Sequence, residues 1–302
     1  MIDRLLAIEE LLMTNDRELR DAAWTLLITQ RNDLLDEVER WAEPTPIQRV
    51  LLALFQLLGD RGRGVLALLN AGLDWDGEIV LRSFYECASK IMYLATSSES
   101  DRPRRIHEFE VILAEASDKR RSRKAAFAEA VFDDHSATDR DVFRALQHPD
   151  MVRNSESVSK KERQAIEGRW SFSGIIEQLA AGQNCDPVPE ATSLLHIYGM
   201  ASHLAHSDAG ALDMMEDRAR RGSDERELLE AAHRARIVSD LASLSFYCGL
   251  LMETPLGATR DWKNGWIAPY KTVMALSAAA RDSFYPTQKE FYDQMLRGGK
   301  KP

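Results

Sequence analysis

Two segments of the chain carry polar side chains at helical spacing. On the first, Arg82 and Glu86 are four residues apart and therefore share one helix face. On the second, Tyr198, Ser202 and His206 recur every fourth residue and form a single stripe. Guanidinium, carboxylate, phenol, hydroxyl and imidazole groups together can bind an anion and move a proton. These five residues are therefore the candidate catalytic residues.

The functional interpretation is a small polar pocket inside a helical bundle. Arg82 would bind an anionic ligand there, together with His203, which lies about 100° from Ser202 around the helix. His206 would transfer a proton. The alternative is structural, because an Arg–Glu pair that faces a Tyr–Ser–His stripe can satisfy its own hydrogen bonds and fix the register of two helices. The residues alone leave both interpretations open.

The elements that must position these side chains are helices. Apolar residues recur at helical spacing along almost the whole chain, and no strand-like alternation exceeds four residues. The expected fold is all-α, a multi-helix bundle with a polar peripheral segment near residues 133–169. Because no sharp shift in composition divides the chain, we expect one domain over residues 1–302. The C-terminal helices, at 260–298, would pack on it.

Several helix boundaries can be predicted from turn residues. The pattern predicts one helix near residues 5–12 and a second over about 16–42. The glycine-rich segment 59–64 is typical of a turn between helices. Near the C-terminus, Pro286 predicts a break between helical pieces at about 268–283 and 287–296.

Charge and hydropathy exclude some classes of protein. The formal net charge is −9, so the surface as a whole does not suit nucleic acid, although Lys119–Lys124 forms a local basic run. That run is interpreted as a solvated helix face. No 18 apolar residues run together, so we expect no membrane-spanning segment and a cytoplasmic location.

Metal-binding patterns are sparse. The three cysteines lie far apart and form no CxxC pair, which argues against a structural zinc site or a disulfide framework. Only one Glu-x-x-His motif exists, at Glu230–His233, whereas a bundle di-iron site needs two. The nearest approach to a metal set is His203 and His206 with Asp208. We expect no metal and no cofactor.

The polar helices carry a resemblance to a known family. The Arg82-x-x-x-Glu86 helix, the segment Trp170–Ser173 and the Tyr198-x-x-x-Ser202-x-x-x-His206 helix resemble domain-of-unknown-function family 5677. That bacterial all-helical family has no established activity, and the resemblance covers about residues 50–250. It implies the helical fold and a polar site at the five candidate residues, and it carries no reaction.

A much weaker similarity links the chain to HEPN-type helical ribonucleases. Those enzymes place an Arg four to six residues before a His on one helix. Arg102 and His107 fit this spacing, as do Arg226 and His233, but neither pair lies on the two polar helices. This similarity implies a metal-independent ribonuclease that acts in a toxin or phage-defence system.

The most direct expectation is a binding or regulatory module, linked to defence or stress, whose partner is a small anionic ligand. The alternative is the HEPN-like ribonuclease, whose partner is RNA. A homodimer is a further expectation, because the C-terminal aromatic residues Trp262, Trp266, Tyr270 and Phe284 would line an interface or else close the core.

Overall fold

The computed structural model describes residues 2–131, 137–152, 158–183, 185, 187–259 and 261–296. In these ranges the ordered structure is helical, apart from one isolated bridge between Ser97 and Cys185. The predicted all-α, multi-helix fold is therefore confirmed. The α-helices are α1 (Ile2–Val38), α2 (Pro46–Asn70), α3 (Asp74–Ala95), α4 (Arg102–His107), α5 (Leu113–Val131), α6 (Ala137–Gln147), α7 (Lys160–Arg169), α8 (Phe172–Ala181), α9 (Ser193–His206), α10 (Ala209–Arg220), α11 (Ser223–Leu256) and α12 (Lys263–Leu296).

The chain forms two compact units. Unit 1 combines Met1–Ala95 with Ala191–Pro302, and unit 2 is the intervening Thr96–Glu190. The polar segment predicted near 133–169 falls in unit 2, where its described parts form α6, a short 3-10 helix and α7. Residues 133–136 and 153–157 of that segment lie outside the described residues. The single domain stays a prediction.

Unit 1 is built around α11. This helix packs against α1, α2, α3 and α12, and its middle turns are buried, Leu241 and Cys248 completely. Hydrophobic residues on all sides of these turns explain the position, because a helix that is apolar all round must be covered all round. The polar residues of α11 lie closer to its N-terminus, which is where the candidate sites are found.

Helix α11 is also long and apolar enough to cross a membrane, with a mean hydropathy of 1.3 over 18 residues. This is weak evidence for a membrane span, since 61% of that window is buried inside the protein and core helices share these properties. The absence of a membrane-spanning segment and the cytoplasmic location both stay predictions.

The turn predicted at residues 59–64 is wrong, because α2 runs through it without interruption. Gly62 is needed for packing, not for a turn. A Cβ added there would lie 3.0 Å from a methyl carbon of Leu27 and 3.4 Å from the ring of Phe84. The buried residues Leu58 and Val65 on either side hold the helix in place, and this tertiary packing outweighs the low helix propensity of glycine.

The predicted breaks near both ends of the chain are also wrong. Residues 5–12 and 16–38 belong to one helix, α1, and α12 continues through Pro286. Beyond the proline, Gln288 is buried and its amide lies 3.5 Å from Glu225 of α11. Packing of this kind compensates for the backbone hydrogen bond that a proline removes.

Three of the four C-terminal aromatic residues pack against the core of unit 1, and Phe284 is partly buried. Trp262 and Trp266 are 3% and 1% exposed, and the Trp266 indole donates to Asp33 of α1 over 2.7 Å. Tyr270 stacks on Phe246 with ring centroids 4.4 Å apart. These side chains therefore form no exposed aromatic patch, and the homodimer stays a prediction.

Unit 2 contains a helix with a π-helical turn. Residues Glu108–Ile112 form this turn between α4 and α5. Glu108 is buried and accepts hydrogen bonds from the Arg169 guanidinium at 2.7 Å and the Trp170 indole at 2.8 Å. The basic run follows on α5, where Lys119 pairs with Glu115 and Arg120 pairs with Glu167 of α7. Part of the run is thus neutralised by neighbouring carboxylates.

Candidate functional site

Four of the five predicted site residues meet where α9 packs on α3. Arg82 donates from Nη2 to the hydroxyl of Tyr198 at 3.0 Å, and this hydroxyl donates to Oε1 of Glu86 at 2.7 Å. The Arg82 guanidinium also lies over the Tyr198 ring, 5.0 Å from its centroid. His206 is at the edge of the group, with Nε2 3.5 Å from Nη1 of Arg82. The spacing within each helix indicated which side chains share a face, and the packing of α9 on α3 brings the two faces together.

Ser202, the fifth of these residues, does not join this network, and neither does His203, which was predicted to bind a ligand together with Arg82. Ser202 makes no side-chain hydrogen bond within the described part of the chain. His203 turns to Asp208, whose Oδ2 lies 2.8 Å from its Nδ1, while Asp208 caps the first turn of α10. His203 therefore does not share a ligand site with Arg82. Among the described residues, no group of three or more His, Cys, Asp or Glu side chains could hold a metal ion.

The Arg82 network lies at the rim of the α3–α9 contact and not deep inside the bundle. The side chains of Arg82 and Glu86 are 23% and 38% exposed, and His206 is exposed. Burial and the hydrogen bond to Glu86 raise the pKa of Tyr198, so the phenol stays protonated and keeps donating. Most polar atoms of this group have a partner inside it, but Nε of Arg82 lies 3.7 Å from Glu86 and has no hydrogen-bond partner among the described residues. The remaining contacts hold α9 on α3.

A second polar cluster lies deeper, between α3 and α11. Its centre is Glu78, which is completely buried and accepts from both Arg236 and His233, the latter at 3.1 Å. Arg236 also donates to Asp240 at 2.9 Å, and Asp240 accepts from the buried Tyr85 hydroxyl at 2.8 Å. This cluster was not predicted. Its signal was present as His233, Arg236 and Asp240, spaced i, i+3 and i+7 along α11.

The charges in this second cluster are strongly coupled. Burial would raise the pKa of Glu78, but the hydrogen bond from His233 and the charge of Arg236 outweigh burial and lower it. Burial raises the pKa of Asp240 and of Tyr85 above their usual ranges. Because Arg236 lies between two carboxyl groups, its positive charge is compensated within the protein.

His233 connects this cluster to Arg218 of α10. Nη2 of Arg218 lies 3.2 Å from Nδ1 of His233, and Nε2 of His233 faces the Glu78 carboxylate. A guanidinium only donates and a carboxylate only accepts, so this geometry fits a neutral imidazole with its proton on Nε2. Both ring nitrogens of His233 are thus occupied.

Arg218 itself is a cation without a counterion. It forms no ion pair with a carboxylate among the residues that the structure describes, and its buried Nε has no hydrogen-bond partner. The guanidinium instead stacks on the ring of Trp75, 4.1 Å from the centroid. Burial lowers the pKa of Arg218, and the more distant Glu230 and Asp74 offset this effect only in part.

Arg218 and His233 line an open cleft of about 640 Å³ in unit 1. Arg236 and Trp75 lie beside them, and the other polar lining residues are Asp217, Ser239, Ser277 and Arg281. Asp217 forms an ion pair with Arg221 at 2.9 Å. The rest of the cleft is largely apolar and is lined by Met200, Met214, Leu229, Met274, Ala278 and Phe284. A concave, mainly apolar space of this size with a few convergent polar groups has the usual features of a small-molecule site.

The residues spaced as in HEPN enzymes are placed differently. Arg226 and His233 share α11, but Arg226 is exposed while His233 belongs to the buried cluster. Arg102 and His107 lie in unit 2, where Arg102 donates to the backbone oxygen of Ser97 at 3.0 Å. Arg102 and His107 share α4, where Arg102 is partly buried and His107 is exposed.

No protein-family model, curated protein or solved structure matches this chain. The resemblances to domain-of-unknown-function family 5677 and to HEPN proteins therefore stay predictions.

Proposed function

We propose that the protein is a binding module that holds a small anionic molecule in the cleft of unit 1. The observation that carries this proposal is Arg218, a half-buried guanidinium that stacks on Trp75 without a carboxylate partner. A buried cation is costly unless it is paired, and a bound anion would supply the missing partner. This proposal keeps the predicted ligand class but moves the site from Arg82 to Arg218.

The experiment measures the melting temperature of the full-length chain with a panel of anions: acetate, benzoate, octanoate, phosphate and adenosine monophosphate. A ligand that binds only the folded state raises the melting temperature. We expect at least one anion to do so with wild-type protein and not with Arg218→Gln.

The matched control is Arg220→Gln. Arg220 lies on the same helix, is 74% exposed and pairs only with Glu216 on that helix. Loss of the same charge there should leave the response intact. If no anion distinguishes Arg218→Gln from Arg220→Gln, the proposal is refuted.

A further inference from the structure

We infer that the ligand of this cleft is a monocarboxylic acid with an apolar body, an inference that rests on the proposed function and names its ligand class. Two features of the cleft lead to it. The first is the number of uncompensated positive charges, and the second is the chemistry of the remaining walls.

Among the described residues that line the cleft, Arg218 is the one charged group without a partner of opposite charge, and Asp217 pairs with Arg221. Arg236 is already neutralised between Glu78 and Asp240, and the geometry of His233 fits a neutral ring. Arg281, which also lines the cleft, is 72% exposed and pairs with Asp282. Arg218 is left, and one cation balances one negative charge. A phosphate monoester carries a second charge that would stay unpaired in an apolar cleft.

The geometry of Arg218 suits a carboxylate. A guanidinium presents parallel N–H donors that match the two oxygens of a carboxylate in one plane. The central carbon of the Arg218 guanidinium lies 4.1 Å from the centroid of the Trp75 ring. A carboxylate head group would therefore bind beside Trp75.

The walls of the cleft away from Arg218 suit hydrocarbon. Met200, Met214 and Met274 come from three different helices and converge there, together with Leu229 and Phe284. Methionine is flexible and polarisable, so it packs against apolar groups of varied shape. A carboxylate on Arg218 would thus have its apolar body between α11 and α12.

The experiment is calorimetric titration of the full-length chain with the straight-chain carboxylates acetate, butyrate, hexanoate and octanoate. If the chain enters the apolar part of the cleft, each added methylene should tighten binding by about fourfold. Octyl phosphate and octylamine serve as probes of charge at constant chain length. We expect octanoate to bind at least tenfold more tightly than either.

Two variants locate the bound molecule. Arg218→Gln should weaken octanoate binding at least tenfold, whereas Arg220→Gln should leave it unchanged. Ala278→Phe places a ring in the apolar part of the cleft and should remove most of the gain from chain length without removing the response to acetate. Circular dichroism checks that each variant is folded.

The outcomes separate this inference from the proposed function. If the carboxylates bind through Arg218 but chain length has no effect, the apolar body is refuted and the anion site stands. If octyl phosphate binds more tightly than octanoate, the inference that the cleft balances only one negative charge is refuted. Octanoate that binds equally well to Arg218→Gln refutes the head-group assignment, and no binding of any carboxylate or phosphate probe refutes both proposals.

Discussion

Glu78 joins three elements of unit 1 through one carboxylate. It is on α3, it accepts from Arg236 and His233 of α11, and through His233 it orients the imidazole toward Arg218 of α10. Carboxylates that orient a histidine in this way determine which ring nitrogen is free to accept. Glu78 therefore determines that Nδ1 of His233 accepts from Arg218, although Glu78 itself is not exposed to the cleft.

The first prediction concerns the contribution of Glu78 to stability. Glu78→Gln removes the charge that compensates Arg236 and should lower the free energy of unfolding by about 3 kcal/mol at pH 7. Asp282→Asn is the control, because its pair with Arg281 is fully solvated and should change stability by less than about 0.5 kcal/mol. Urea denaturation measures both, and equal effects of the two substitutions would contradict the role given to Glu78.

The lowered pKa of Glu78 also predicts how the free energy of unfolding depends on pH. The pKa of Glu78 is lower in the folded protein than its ordinary value of 4.5, so its stabilising contribution is present above about pH 4.5. It is lost as the pH falls through the folded pKa. The stability difference between wild type and Glu78→Gln should therefore shrink between pH 5 and pH 3. If the stability difference instead grows on acidification, folding does not lower the pKa of Glu78.

Helices α3 and α9 are linked by the hydrogen bonds of the Arg82 network, which consists of Arg82, Glu86, Tyr198 and His206. Tyr198→Phe removes the hydroxyl that bonds to both Arg82 and Glu86, and should lower stability by about 1 kcal/mol. Ser202→Ala should have almost no effect, because Ser202 makes no side-chain hydrogen bond to any residue that the structure describes. Thermal unfolding compares the two. If Tyr198→Phe leaves stability unchanged but abolishes anion binding, the network is the functional site after all.

The glycines of unit 1 differ in what surrounds them. A Cβ on Gly249 of α11 would meet the Trp266 ring at 2.4 Å, so Gly249→Ala should destabilise the protein by about 2 kcal/mol. Gly59 of α2 has nothing within 4 Å of that position, and Gly59→Ala should stabilise by about 1 kcal/mol through helix propensity. We expect chemical denaturation to show a lower free energy of unfolding for Gly249→Ala and a higher one for Gly59→Ala. A stabilising Gly249→Ala would contradict the close packing of α11 on α12.

Sequence patterns predicted the helical elements better than their ends. Apolar periodicity indicated the helices, whereas the turn at 59–64 and the break at Pro286 were wrong because tertiary packing overrides glycine and proline there. Spacing within a helix predicted which side chains share a face on α3 and on α9, but not that these two faces meet. The Glu78 cluster depends on how α3, α10 and α11 pack together, and spacing within one helix cannot show that.

At the scale of the whole molecule, net charge bears on the ribonuclease alternative. A chain of net charge −9 repels polyanions in general, and both nitrogens of His233 are engaged within unit 1. We expect no cleavage of labelled RNA in the presence of a chelator, followed on a denaturing gel. Cleavage that His206→Ala or His107→Ala abolishes, with circular dichroism unchanged, would instead establish the HEPN-like function.

The proposed ligand site at Arg218 in the cleft of unit 1 can be observed directly. The most direct measurement is a crystal structure of the protein soaked with 8-bromooctanoate, in which anomalous scattering locates the bromine. We predict the carboxylate on Arg218 beside Trp75, and the bromine between α11 and α12 near Met274 or Phe284. Strong bromine density elsewhere with an empty cleft would contradict the assignment of the ligand site to this cleft.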